Sequence, residues 1–183
     1  MELQTGSELH IGAETRTGRV LQTESDLERL VRCYQEMLLR YCTGILGNRE
    51  DAEDAVQTAF IKAWKKRNSL KRGASLKSWL YRIAYRASVD LLRARRPAGE
   101  LPEELGGETP GSGESGFSDT IRNALGTLSA LDRAIVEERI LEEMPYEEMA
   151  AIHRMSAAAL RRRYSRARQR LQALLTKEEN DVE

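Results

Sequence analysis

Between Arg154 and Arg170 the chain carries seven arginines and no acid. A guanidinium presents a planar fork of donors that fits phosphate oxygens and the O6/N7 edge of guanine, so the chemistry open to this stretch is nucleic-acid recognition. Ser156 is placed to cap a helix, and Ala157, Ala158 and Ala159 favour one. Leu160, Tyr164, Ala167, Leu171 and Leu174 then recur at spacings of three and four, which gives one apolar stripe and leaves most of the arginines opposite. Just upstream, Tyr146 to Ile152 reads as a short helix with Met149, Ala150 and Ile152 inward, and His153 to Met155 turns. That is helix-turn-helix spacing.

In such a unit the first turns of the second helix approach base edges, while later residues meet the backbone. Arg161 and Arg162 are the candidates for base contact, with Ser156, Ala157 and Ala158 at the start of the same helix. Arg166 and Arg168 are candidates for phosphates. Arg163 points either way, because its neighbour Tyr164 faces the core. A solvated basic helix in an ordinary bundle is the plain alternative, but here a docking fold accompanies the charge.

A second basic block runs from Lys62 to Arg96, with Arg67, Lys71, Arg72, Lys77, Arg82, Arg86 and Arg93 among its cations and Asp90 its single acid. It points to a second nucleic-acid face. Tyr81 and Tyr85 lie among these cations four residues apart, and aromatic faces beside cations suit unpaired bases. Trp79 sits closer to the apolar stripe, where a core role competes with stacking.

Catalysis finds little to work with. Cys33 and Cys42 are the only cysteines and His10 and His153 the only histidines, without the paired spacings of a zinc site and without a catalytic constellation. The expectation is a protein with no enzymatic activity, no metal and no cofactor. No apolar run approaches twenty residues and the N-terminus lacks a signal-peptide core, so membrane insertion is not expected and a cytoplasmic location is.

The elements that must position these groups are helices. The chain has 183 residues, 40% hydrophobic, with 29 basic and 29 acidic residues, so the pI near 6.8 conceals segregated charge. Residues 1–23 are polar and are expected to be disordered, although Ile11, Val20 and Leu21 offer apolar groups for docking. From Ser25, Leu27, Leu30, Val31, Tyr34, Leu38, Tyr41 and Ile45 mark a long amphipathic helix ended by Gly47-Asn48. Asn48 caps a second helix, buried through Ala52, Ala55, Val56, Ala59, Phe60, Ala63 and Trp64, with Asp54, Gln57, Thr58 and Ile61 outward. Ser75 caps a third, buried through Leu76, Trp79, Leu80, Ile83, Ala87 and Leu91. Residues 98–119 form an acidic linker rich in Pro, Gly and Ser. A second unit follows over 120–176, with Ile121, Leu125, Leu128, Leu131, Ile135, Val136 and Ile140 building its first two helices, and 177–183 is a tail. The fold class expected is all-α: two small helical domains, 24–97 and 120–176, joined by a flexible linker. Loosely arranged domains follow from that, as does an acidic linker able to lie over a basic face.

Two blocks carry a family resemblance. DAEDAVQTAFIKAWKK (Asp51 to Lys66) with SLKSWLYRIAYRASVDLLRARR (Ser75 to Arg96) resembles sigma region 2, and Leu128 to Leu171 resembles sigma region 4, of the extracytoplasmic-function (group IV) sigma factors of bacterial RNA polymerase. The resemblance implies that the first domain binds core RNA polymerase and the melted minus-10 element of promoter DNA, and that the second binds the duplex minus-35 element. By family position Asp54, Gln57, Thr58 and Ile61 lie on the polymerase-binding face. The loop of Arg67, Asn68, Ser69, Leu70, Lys71 and Arg72 holds an extruded base, joined in minus-10 contact by Lys77, Trp79, Tyr81, Arg82, Tyr85, Arg86 and Arg93. An anti-sigma factor is the further partner implied. Some positions depart from the family pattern: Arg86 stands where Asn is usual, Glu143 where a turn Gly is usual, and Pro145 where Ser or Thr commonly caps. A stand-alone helix-turn-helix transcription regulator is the rival reading, and it leaves the basic Tyr81 and Tyr85 helix unexplained.

Overall fold

Thr23 opens the first helix, α1 (Glu24–Leu46), with a reciprocal capping box: its hydroxyl accepts from the Asp26 amide, and the Asp26 carboxylate accepts from the Thr23 amide. This satisfies donors that a helix start leaves unpaired. The computed structural model describes residues 21–71, 73–95 and 119–180. Leu21 is buried, so the fold takes in the three residues just ahead of the expected boundary at 24. Gly47, at φ 80°, ends α1 in the left-handed conformation that glycine adopts without a steric penalty.

Asn48 caps α2 (Arg49–Lys65) through its side-chain oxygen and the Asp51 amide at 2.9 Å. The buried face of α2 is mostly small, with Ala52, Ala55, Ala59 and Ala63 at full burial, and small residues let packed helices approach closely. A short 3-10 turn, Arg67–Ser69, leads to α3 (Leu76–Ala94), capped by Ser75 on the Ser78 amide. An ion pair between Arg95 and Asp51 ties the end of α3 to the start of α2.

The second domain comprises α4 (Asp119–Gly126), α5 (Ala130–Ile140), α6 (Tyr146–His153) and α7 (Ala157–Asn180). Ser129 caps α5. The turn after α5 holds Glu143 at φ 50°, the left-handed position noted as a departure from glycine, and Pro145 begins α6 without a side-chain cap. Arg154 closes α6 at φ 57°. Leu128, Val136 and Ala167 form a small core of their own, with Leu125, Tyr164 and Leu171 packed on it.

The two domains are docked. α1 packs on α5 and α3 packs on α6, and one continuous apolar cluster runs from Leu30 and Leu38 of the first domain to Ile135 and Met149 of the second. The expected all-α, two-domain fold is therefore present, with a docking of the two domains that linker composition does not disclose. The docking explains two differences in burial. α3 is buried beyond its expected stripe, at Tyr81, Ala84 and Ser88. On α5, Ile140 is 52% exposed instead of inward, while Arg133, Glu137 and Glu138 are buried. The expectations for residues 1–20, the linker from 98 to 118 and the last three residues lie outside the described residues.

Candidate nucleic-acid interface

The helix-turn-helix unit places the arginines unequally. Ser156 caps α7 as expected, accepting from the Ala159 amide at 3.2 Å. Arg163 is turned back into the domain, its Nε donating to Asp132 Oδ1 at 2.5 Å. Arg161 lies over the ring of Tyr146, 5.0 Å from its centroid, and Arg139 approaches the same ring at 5.1 Å. Cation–π stacking of this kind restrains a long side chain that would otherwise lose rotamer entropy on binding. Arg162, Arg166 and Arg168 are exposed and make no ion pair among the described residues. Ala158 is exposed and Ala157 half-buried beside them. The ambiguity over Arg163 therefore resolves inward, while Arg161 stays exposed with its guanidinium over the Tyr146 ring.

In the first domain Asp54, Gln57 and Ile61 project into solvent, Ile61 with 50% of its surface exposed, and Thr58 is half-buried beside them. All four share the face opposite Ala55 and Phe60. The loop residues Asn68, Ser69 and Lys71 are exposed and Leu70 is half-buried. Arg67 is engaged: its guanidinium sits 4.3 Å over Trp64, and its Nη1 donates to the Trp64 carbonyl at 2.9 Å. Arg72 lies outside the described residues. Arg86 and Arg93 are exposed and Arg82 is half-buried. Burial, together with Arg154 and Arg82 nearby, lowers the Arg86 guanidinium from its ordinary range.

Of the three expected stacking residues, two are buried and one is half-buried in this arrangement. Trp79 is core. Tyr81 is fully buried, its ring 4.7 Å from that of Tyr41, and burial and the Glu142 carboxylate push its hydroxyl far above the usual range. Tyr85 is half-buried, edge-on to His153 at 4.5 Å. Lys77 is likewise engaged, its Nζ 2.7 Å from Glu142 Oε2. The docked second domain covers the side of α3 that carries Lys77, Tyr81 and Tyr85, whereas Trp79 belongs to the first domain's own apolar stripe.

The covering surface is charged, and sequence reading missed it. Glu142 also accepts from Arg40 at 2.7 Å. Glu138 accepts the Tyr41 hydroxyl at 2.5 Å on one oxygen and lies 2.8 Å from His153 Nε2 on the other. Burial pushes the Glu137 carboxyl up to about 8, against the pull of Arg40 and with further push from Glu142 and Glu138. Burial lowers Arg133 to about 10, and its Nη2 donates to the Ile45 carbonyl at 3.0 Å. One signal was available in the sequence. Leu131, Ala134 and Ile135 continue at helical spacing into Glu138, so an acid occupies the stripe position where an apolar residue belongs.

Among the described residues no cluster of His, Cys, Asp and Glu is arranged to hold a metal, and no helix is long and apolar enough to cross a membrane.

Comparison with known proteins accounts for both halves of this arrangement. The family described as Sigma-70 region 2 matches residues 30–97, and Sigma-70, region 4 matches residues 118–171. The chain is 35% identical over 78 residues to the extracytoplasmic-function sigma factor SigW of Bacillus subtilis, an alignment covering 43% of this chain and 42% of that protein. It is 27% identical to the sigma factor SigV of the same organism over 82% of this chain and 93% of that one. Among solved structures it resembles the sigma factor RpoE of Bartonella quintana in complex with the anti-sigma factor NepR, with a TM-score of 0.67, 28% identity and coverage of 82% of this chain and 97% of that one. With both sigma regions present in order and whole-length likeness to such factors, the chain belongs to the sigma-70 family of RNA polymerase sigma factors, in its extracytoplasmic-function group.

Proposed function

We propose that this sigma factor binds core RNA polymerase and directs it to promoters whose minus-35 element is read by α7 and whose melted minus-10 strand is held by the first domain. The observation that carries the reading is the exposed trio of Arg162, Arg166 and Arg168 on the second helix of a helix-turn-helix, in a chain that also matches Sigma-70 region 2 over 30–97. Phosphate contacts from such cations supply affinity regardless of sequence, and Arg162 in the first turns supplies base discrimination. Asp54, Gln57, Thr58 and Ile61 form the polymerase face, where an exposed apolar side chain ringed by polar groups suits a protein partner. The loop around Arg67 to Lys71, with Arg82, Arg86 and Arg93, takes the displaced strand. Removing a base from the stack costs a few kcal/mol, an amount that one or two stacked aromatic contacts of roughly 1–3 kcal/mol offset.

The protein does no covalent chemistry in this reading; it supplies binding, and the polymerase supplies catalysis. It acts in the cytoplasm, where its polymerase partner works, and an anti-sigma factor of the kind bound to the Bartonella quintana relative is its natural antagonist. A stand-alone regulator would leave the match over residues 30–97 without a purpose. The test is run-off transcription with purified core polymerase on a genomic fragment library. Transcripts that depend on the protein and share two spaced upstream elements are expected; their absence, with no co-purification of core polymerase, would sink the assignment.

A further inference from the structure

Three arginines from the two domains converge where α3 meets the turn between α6 and α7. Tyr85 and His153 pack edge to face across that contact, with ring centroids 4.5 Å apart. Each ring is followed in sequence by an arginine, Arg86 on α3 and Arg154 on the turn, and both arginines are exposed. Arg82, half-buried, lies four residues before Arg86 and so on the same side of α3. The three charges feel one another: after burial, Arg154 and then Arg82 act against the charged form of Arg86. Asp90, acting in the opposite sense, is the weakest of these influences and stands 3.6 Å from Lys62. Other cations at the contact are answered, since Arg40 and Lys77 meet Glu142 and Arg133 meets the Ile45 carbonyl. Arg82, Arg86 and Arg154 make no ion pair among the described residues. The backbone adds a second sign. Arg154 closes α6 at φ 57°, in the left-handed region that a Cβ makes costly and glycine enters freely. Strain kept at a residue whose side chain sits beside two like charges points to a use for that side chain.

We propose that Arg82, Arg86 and Arg154 form a binding site for a small phosphate-dense anion of the pyrophosphate or polyphosphate class, bridging the two docked domains. A guanidinium takes phosphate oxygens through two parallel N–H donors, so three of them gathered at one place suit an anion that carries several charges on adjacent phosphates. A nucleic-acid strand is the other polyanion to consider, but it spaces its phosphates one to a nucleotide along its length. The gathered geometry favours the compact ligand. Such an anion removes the mutual repulsion of the arginines and holds groups from both domains, so it stabilises the docked chain as its concentration rises above its dissociation constant. The site depends on the meeting of α3 with the turn after α6 and not on sigma activity, so it stands or falls separately from the promoter reading.

The site is tested in the full chain with inorganic pyrophosphate, by titration calorimetry and by thermal unfolding with and without the anion, at low salt where screening is weak. The variants are Arg82→Gln, Arg86→Gln and Arg154→Gly, with Arg32→Gln as a control that removes an exposed cation of α1. The parent should bind pyrophosphate, and its Tm should rise by roughly 5 °C at about a hundredfold excess over Kd. Each site variant should weaken binding about tenfold or more, and the control should not. Arg154→Gly puts no fold at risk, because glycine relieves the left-handed turn. That variant should unfold at a higher temperature than the parent without the anion, yet lose most of the rise that pyrophosphate gives the parent. No binding by the parent, an equal loss in the control, or an Arg154→Gly protein that keeps the full rise overturns the proposal. A single-stranded DNA 12-mer is the second probe. A parent that binds the 12-mer through these three arginines but does not bind pyrophosphate would assign them to a nucleic-acid strand and overturn the site.

Discussion

Raising the pH should open the molecule, and Glu137 sets the window. In the docked structure its carboxyl faces Arg40 and Cys42 from α1, Tyr81 from α3, and Glu138 and Glu142 from its own segment. Arg40 Nε is 3.6 Å from Glu137 Oε1, an ion-pair distance too long for a hydrogen bond, so that oxygen has no hydrogen-bond partner. Burial therefore dominates and holds the group near 8, against an ordinary 4.5 once the domains part and water reaches it. The closed form retains a proton that the open form releases. Its advantage is complete below about 4.5 and is lost as pH rises through about 8. Between roughly pH 6 and pH 8 the linkage is worth about 2 kcal/mol, on the order of a 50-fold fall in the closed-to-open ratio. The assay is the radius of gyration across a pH series, for the parent and for Glu137→Gln, which cannot ionise. Expansion with rising pH in the parent and a flat profile in the variant are expected. A flat parent, or the same slope in both proteins, would refute the assignment of the proton to Glu137.

Three further outcomes follow from single positions. Glu143→Gly relieves a left-handed φ of 50° at an exposed turn and should stabilise by up to about 1 kcal/mol, read as a rise of a few degrees in Tm. Arg162→Ala should cost roughly 1–3 kcal/mol on the preferred minus-35 duplex and relax preference at one base pair, with the salt dependence little changed. Arg163→Ala, which removes the Asp132 pair, should instead lower thermal stability by roughly 1 kcal/mol; the opposite pattern would mean that α7 enters the groove in another register. Asp54→Arg should weaken holoenzyme formation in a core-polymerase pull-down without lowering Tm, and unimpaired binding would place the polymerase face elsewhere.

Helix boundaries were legible because local chemistry writes them. Asn48, Ser75 and Ser156 each cap the helix they precede, and Gly47 stops α1. The left-handed turn at Glu143 was legible only through the family resemblance, because glutamate does not itself mark such a turn. Legibility failed where one face serves a partner distant in sequence. Tyr81 carries no mark that distinguishes a ring awaiting a base from a ring stacked on Tyr41, because both need an aromatic beside cations. Arg162 and Arg163 are equal in sequence, and only Asp132, contributed by another helix, draws Arg163 back from solvent. His153 was read as a turn residue and a poor metal ligand, and nothing local marks its partner Glu138, fifteen residues away on another helix.

Why the contact between the domains should be ionic at its centre follows from what each surface does when open. A purely apolar patch of similar extent would hold more firmly, at about 25 cal/mol per Å² buried, but after opening it would remain an exposed sticky area with no use for DNA. Arg40 and Lys77 are soluble when exposed and attract phosphate as readily as carboxylate. Competition then has a direction. Glu142 presents one charge to both cations, whereas a nucleic-acid strand brings a charge with every phosphate and gains entropy by releasing its counterions. That advantage shrinks as salt rises, because each released counterion gains less entropy on entering a more concentrated bulk, so a strand competes with α5 most effectively at low ionic strength. The polymerase face proposed at Asp54 and Ile61 lies on a different helix from the contact with α5, which leaves it uncovered while the domains are docked.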